Sequence, residues 1–298
     1  MAEKRRSIVG LGEVLWDLLP RGKQLGGAPA NFAYISSLLG HRGIVASRMG
    51  ADALGKELRA RLLELKLDDS FLQIDTDHPT GAVRVTLDHA GQPDYEIERN
   101  AAWDFLEWTP QWQRLAAEAN VVCFGTLAQR SDVSRTTIRA FLAASRSNAI
   151  RIFDVNLRQE FFSKDILADS FGLASVAKLN DLELPTVMER LGLPYNDQKP
   201  AAELLRRTFD LELVCVTRGN RGSLLLRKNE SNEHPGFAVR VADLVGAGDG
   251  FTAALAHHLL LRSPLHRMNE AANRLGAWIA SQRGGTPERD ADLIQAVQ

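Results

Sequence analysis

Asp249 stands among three glycines in the stretch "DLVGAGDG", residues 243–250, directly ahead of the apolar run "FTAALAHHLLL". In that run Phe251, Ala254, Leu255, His258 and Leu259 recur at helical spacing, so a helix with a buried stripe is expected. Gly246, Ala247 and Gly248 then fall at its N-terminus, where the first amides lack internal partners and point outward. Residues with little or no side chain let a phosphate approach those amides closely. An aspartate in a first helical turn can act simply through the helix dipole, worth ~0.3–1 kcal/mol. A dipole role would not need the glycines. A bare amide cradle beside a carboxylate suits phosphoryl transfer, with amides for the charge on the migrating group and a base for the proton of the attacking hydroxyl.

The elements that must position this stretch are legible as short β-branched runs, "SIVGLG", "NVVCFG", "IRIFDVN", "AKLN" and "LVCVT". Helical patterns such as "GKELRARLLEL", "SRTTIRAFLAAS" and "PAAELLRRTF" separate them. The alternation predicts an α/β fold with a mostly parallel sheet and helices on both faces, and ligands in such sheets gather at the carboxyl ends of the strands. Residues 80–98, "TGAVRVTLDHAGQPDYEIE", break the rhythm and read as an antiparallel hairpin turning near Gly91, either a lid or a decorated edge. With no internal repeat or linker, one domain spanning residues 1–298 is expected.

Composition narrows the partner. A chain of 298 residues with 45% hydrophobic and 24% charged residues is ordinary for a globular protein, and a net charge of -1 offers no footprint for nucleic acid or anionic membranes. A small molecule is the expected partner. The basic start turns apolar but is interrupted by Glu13 and Asp17, and no apolar run reaches bilayer length, so a cytoplasmic location is expected. Cys123 and Cys215 lie in apolar runs without metal-ligand spacing and read as buried thiols. Adjacent His257 and His258 cannot copy the spacing of a zinc helix. No P-loop is present, and "VGLGEVLW" places Leu15 where a dinucleotide fingerprint needs its third glycine.

"DLVGAGDGF" resembles the C-terminal signature of ribokinase-like (PfkB) carbohydrate kinases, and "LGGAPANFAYISSLLG" resembles their N-terminal one. "GLGEVLWDLLP", "FDVNLR", "NDLE" and "VTRGNRG" are similar to further family segments and stand in the family's order, so the resemblance covers essentially the whole chain. It implies a three-layer αβα sandwich with a small β lid from residues near 13–25 and 80–100, and an ATP-dependent sugar kinase with Asp249 as base. Asp17, Gly26, Gly27 and Asn31 would bind the sugar, with Arg99 and Arg158 as further substrate contacts or plain surface arginines. Asn180, Thr217, Gly219, Gly222 and Asn273 would bind the nucleotide, and Glu183 would act through water on Mg2+. "NDLE" also has the spacing of a helix capping box.

Ala28 stands where ribokinase has lysine, which turns the resemblance toward fructokinases; "RQEFF" replaces the two prolines that often follow "DVNLR" in them. Fructose is the first expected acceptor, then 2-keto-3-deoxygluconate, with a nucleoside kinase and a non-catalytic sugar-binding relative as the remaining readings. Leu244 and Val245 follow Asp243, the position at which the resemblance implies a monovalent cation such as K+. An exposed lid edge would favour a homodimer.

Overall fold

The structure, a computed structural model, describes residues 5–19, 22–87 and 93–298. The chain begins with β1 (Ser7–Leu11), β2 (Leu15–Leu19), β3 (Gly22–Gly26), α1 (Ala28–Leu38), β4 (Arg42–Gly50), α2 (Ala53–Glu64), β5 (Leu72–Asp75), β6 (Gly81–Leu87) and β7 (Pro93–Ile97). There follow α3 (Pro110–Glu118), β8 (Val121–Phe124), α4 (Asp132–Ala144), β9 (Ile150–Asp154), α5 (Lys164–Leu173), β10 (Val176–Asn180), α6 (Glu183–Leu191), α7 (Gln198–Thr208) and β11 (Leu213–Thr217). The chain ends with β12 (Ser223–Arg227), β13 (Glu230–His234), α8 (Ala247–Leu260), α9 (Leu265–Ala280) and α10 (Ala291–Val297).

Nine strands form the large sheet in the order β13-β12-β11-β10-β9-β8-β1-β4-β5. It is parallel from β5 through β11, and β12 and β13 close one edge in antiparallel fashion. Alternate residues of its strands face opposite layers: Ile8, Val121 and Cys123 join the core under α1, α8 and α9, while Val9, Val122 and Phe124 join the core under α3 to α7. Both faces are therefore buried, which is why these strands read as continuous apolar runs. The two cysteines are buried and unpaired.

From β1 the chain runs to β4 and β5 on one side and returns through β8 to β11 on the other. The order reverses between β1 and β8, and their carboxyl ends leave a crevice there. A separate four-stranded sheet, in the order β3-β2-β6-β7, flanks that edge. The expected hairpin is present as the antiparallel β6 and β7, paired from Val83 with Ile97 to Leu87 with Pro93; its turn near Gly91 lies outside the described residues.

Two local features differ from the sequence expectation. α8 is buried all round from Gly250 to Leu259 rather than along one stripe, because it is wedged between α1, α9 and the sheet. The nine-residue β4 went unrecognised in "RGIVASRMG", where Arg42, Ser47 and Arg48 interrupt the apolar run. Arg42 and Arg48 find carboxylates, Asp68 and Asp75, at the sheet margin.

Candidate active site

Gly246 caps α8 with φ 81°, a left-handed conformation that is strained for other residues, and a Cβ there would lie 2.5 Å from Gly285 Cα. The turn delivers Asp249 into the first helical turn, at the crevice between the two sheets. Asn31, buried in the first turns of α1, donates from Nδ2 to Asp249 Oδ2 at 2.9 Å. Although part of its surface stays accessible, the Asp249 carboxyl is enclosed by protein on most sides. Burial pushes its pKa up to about 6, reinforced by the charge of Asp154; the Asn31 donor, Lys178 and Arg158 pull it down.

Beneath the cradle lies a buried ion pair. Lys178 Nζ, at β10, contacts both oxygens of Asp154, at the end of β9, at 3.0 and 3.2 Å, and Thr252 of α8 donates to Asp154 Oδ2 at 3.0 Å. Burial alone would lower the lysine's pKa, but Asp154, Glu183 and Asp249 raise it, so the ammonium stays charged. A Cβ on Gly248 would sit 3.1 Å from that ammonium, so the bare helix start and the cation are in near contact. Asp154 and Lys178 had no role in the sequence reading. Their signal was a charged residue in each of two apolar strand runs, "IRIFD" and "VAKLN".

Asp17 projects from β2, and a Cβ on Gly26 of the paired strand β3 would meet its Oδ2 at 2.4 Å. Glycine at 26 therefore clears room for the carboxylate. Burial raises the Asp17 pKa to about 6; Arg158 lowers it and Asp243 raises it. Gly27 caps α1 with φ 99°, and its carbonyl accepts from the amides of Ala30 and Asn31. Arg158 sits on the exposed turn after β9, where Asn156 and Gln159 have positive φ, and its guanidinium acts on Glu13, Asp17 and Asp249 alike. Arg99, at the end of the β6–β7 hairpin, lies over the ring of Phe161 at 5.2 Å, and the Phe161 amide donates to the Arg158 carbonyl. Phe161 thus links the two arginines, through its ring to Arg99 and through its backbone to Arg158.

The residues expected on the nucleotide side from sequence fall largely at neighbouring strand ends. Glu183 Oε2 accepts the Asn180 amide at 2.7 Å while Asn180 Oδ1 accepts the Glu183 amide at 2.8 Å, the reciprocal arrangement that the capping-box spacing anticipates. Glu183 Oε1 also accepts the Leu157 amide at 2.8 Å, tying this corner to the Arg158 turn. Thr217 ends β11, and Gly219 and Gly222 turn the chain into β12 with φ 59° and 79°. Asn273 of α9 is set back from the crevice: its Nδ2 donates to Ser223 Oγ at 2.7 Å within a buried amide network that includes Asn269. Asp243 accepts the Val245 amide on one oxygen and the Gly284 amide on the other, joining the α8 approach to the segment after α9. A hollow of about 580 Å³ opens beside it, lined by Val239, Arg240, Val241, Ala242, Ser281 and Arg283.

Among the described residues no helix is long and apolar enough to cross a membrane. The profile of "pfkB family carbohydrate kinase" matches residues 21–291. Fructokinase-1 of Zea mays is 26% identical over 327 residues, spanning 100% of this chain and 99% of that protein. The fructokinase of Salmonella typhimurium is 31% identical over 258 residues, spanning 82% of this chain and 81% of that protein. The crystal structure of fructokinase from Vibrio cholerae O395 in its fructose, ADP and calcium ion bound form superposes with a TM-score of 0.79 at 25% identity, covering 98% of each chain. A three-layer ribokinase-like sandwich with a small flanking sheet, a glycine-cradled aspartate at the switch point and these whole-chain likenesses agree, and the chain belongs to the pfkB family of ATP-dependent carbohydrate kinases.

Proposed function

We propose that the protein transfers the γ-phosphoryl group of ATP to a primary hydroxyl of a small sugar, with fructose as first acceptor. The observation that carries this is the Asp249 carboxyl, fixed by Asn31 beside glycine-bared amides that stand over a buried lysine. Asp249 takes the proton of the acceptor hydroxyl as that oxygen bonds to phosphorus, and the bridging oxygen leaves with its electron pair on ADP. The amides of Gly246 and Gly248, reinforced by Lys178, stabilise the negative charge spread over the migrating group, and the Ala247 amide between them donates to the Leu244 carbonyl at 3.3 Å until the phosphate takes it.

Asp17, Gly26, Gly27 and Asn31 form the sugar side, where ionised oxygen and amide groups suit adjacent hydroxyls. The four-stranded sheet is the lid: it carries Asp17, Arg99 follows its strand β7, and its closure keeps water from competing as acceptor. Thr217, Gly219 and Gly222 line the phosphate side, and the adenine takes the hollow beside Ala242, with the Asn273 network stiffening the wall of α9.

Among the described residues no group of three or more histidine, cysteine or acidic side chains could hold a metal by itself. The residues fit an ion that draws most ligands from water and phosphate: Asn180 fixes the Glu183 carboxylate, whose oxygens keep lone pairs free beyond the two amides. Mg2+ held there through water would offset charge on the triphosphate. Asp243, joined to both loops, is the residue that would hold K+.

Arg99 and Arg158, linked through Phe161, favour a second acceptor, a keto-acid sugar such as 2-keto-3-deoxygluconate, whose carboxylate a guanidinium fork would take. A coupled ADP-release screen across ketoses, aldoses, keto-acid sugars and nucleosides tests the reading. Turnover with fructose supports it. Turnover with nucleosides alone, or none with any sugar, overturns it.

A further inference from the structure

Glu13 follows β1 at the switch point and is 3% exposed. Its Oε2 has no hydrogen-bond partner among the described residues. The side chain lines a narrow cavity that Asp249 and Asp154 also line, walled by Phe32, Phe124 and Leu127. Asp154 is neutralised by Lys178 and accepts a hydrogen bond from Thr252, whereas Glu13 has no ion-pair partner among the described residues. Two carboxyls lining one narrow cavity disfavour ionisation together, and the charge of Asp249 adds to the rise at Glu13.

We propose that Glu13 and Asp249 are a carboxyl pair holding a single proton, which Glu13 keeps, so that Asp249 is ionised when the acceptor hydroxyl arrives. Glu13 is a positioning residue that acts through Asp249. The inference rests on Asp249 being the base of the proposed sugar kinase. It leaves the transfer balanced: the acceptor O–H proton goes to Asp249, the new oxygen–phosphorus bond replaces the bridging one, and the electron pair leaves on ADP. Glu13 retains its proton throughout, and Asp249 releases its own to solvent after the product departs.

The groups facing Glu13 support this order. Asn31 gives Asp249 Oδ2 a hydrogen bond at 2.9 Å that favours its ionised form, whereas Glu13 Oε2 receives none among the described residues. Burial pushes the Glu13 pKa up; the amides of Glu13 and Ala28 and the guanidinium of Arg158 oppose the rise, and the charge of Asp249 adds to it. Cys123, on β8 in the same cavity wall, is held as a neutral thiol by burial. Once Glu13 ionises, its charge stands against the incoming triphosphate, so the reaction loses speed on the alkaline side.

Glu13→Gln keeps the shape and fixes the neutral state. The experiment compares kcat/KM against pH for both proteins and follows the protonated-carboxyl infrared stretch of the ligand-free proteins over the same range. The wild type should show an acid and an alkaline limb and lose the infrared band in two steps. Glu13→Gln should keep kcat within about threefold near neutrality, lack the alkaline limb and lose one infrared step. A folded Glu13→Gln protein that is inactive at every pH, or that keeps both steps, overturns the proposal. Should Glu13→Gln not fold, Asp249→Asn decides by infrared alone: the Glu13 step must move to lower pH when the neighbouring charge is removed, and an unmoved step overturns the pairing. Wild-type protein that phosphorylates no sugar defeats the kinase reading, and the infrared steps still decide the carboxyl pair.

Discussion

Asn31 and Asp249, 218 positions apart in the chain, are joined by a 2.9 Å hydrogen bond from the amide to the carboxylate, linking the start of α1 to the start of α8. The bond orients one oxygen of Asp249 and leaves the other for the acceptor hydroxyl of the proposed reaction. It also favours the ionised form against burial and the charge of Asp154. Replacing Asn31 with alanine should therefore raise the apparent pKa of the acid limb above about 6 and slow turnover more at pH 6 than at pH 8. Rate profiles with saturating sugar check this, and an unmoved limb would mean that the bond only packs the two helices.

Asp249→Asn removes the proposed base while preserving size. It should lower kcat by ~10²–10⁴ and leave the affinity for ATP, measured by calorimetry, nearly unchanged. Near-normal turnover would remove Asp249 from the mechanism.

The same substitution should stabilise the fold at alkaline pH. The Asp249 pKa is raised from 3.8 to about 6, so the folded protein binds the proton more tightly than the unfolded chain does. The stability linked to that proton is complete below the unfolded value and is lost as pH rises through about 6. At pH 8 Asp249→Asn is expected to gain on the order of 1–3 kcal/mol, a difference that vanishes near pH 3. Thermal melts at the two pH values read it, and a lower melting temperature for the variant at pH 8 contradicts it.

Lys178→Met should be severely destabilising, by about 3–5 kcal/mol, because it strands the buried Asp154 carboxylate without its counter-ion. Adding Asp154→Leu should recover much of the loss in urea denaturation. A double variant no more stable than the single one would show that the pair is not what holds β9 and β10 to α8.

Gly246→Ala would force a side chain into the left-handed cap and against Gly285. The strain is expected to be about 1–3 kcal/mol and to raise KM for ATP more than it lowers kcat at saturation, since the amide cradle turns on this residue. A variant with wild-type KM for ATP would place the triphosphate elsewhere.

Local chemistry made much of this protein legible in its residues. Buried parallel strands such as "LVCVT" must be apolar on both faces, a glycine pair before a helix announces close approach, and "NDLE" carries its own reciprocal hydrogen bonds. β4 was hidden because its charged residues are satisfied by Asp68 and Asp75, partners from later in the chain. Lys178, Asp154 and Glu13 were likewise unreadable as a group: they come from β10, β9 and the end of β1, and a charge in an apolar run discloses neither its partner nor whether it has one. Sequence by itself determined the family signatures and which way the helices and strands alternate. Only the tertiary structure decided that Asn31 reaches Asp249 and that Glu13 shares its cavity, because burial and long-range approach set the protonation of each carboxyl.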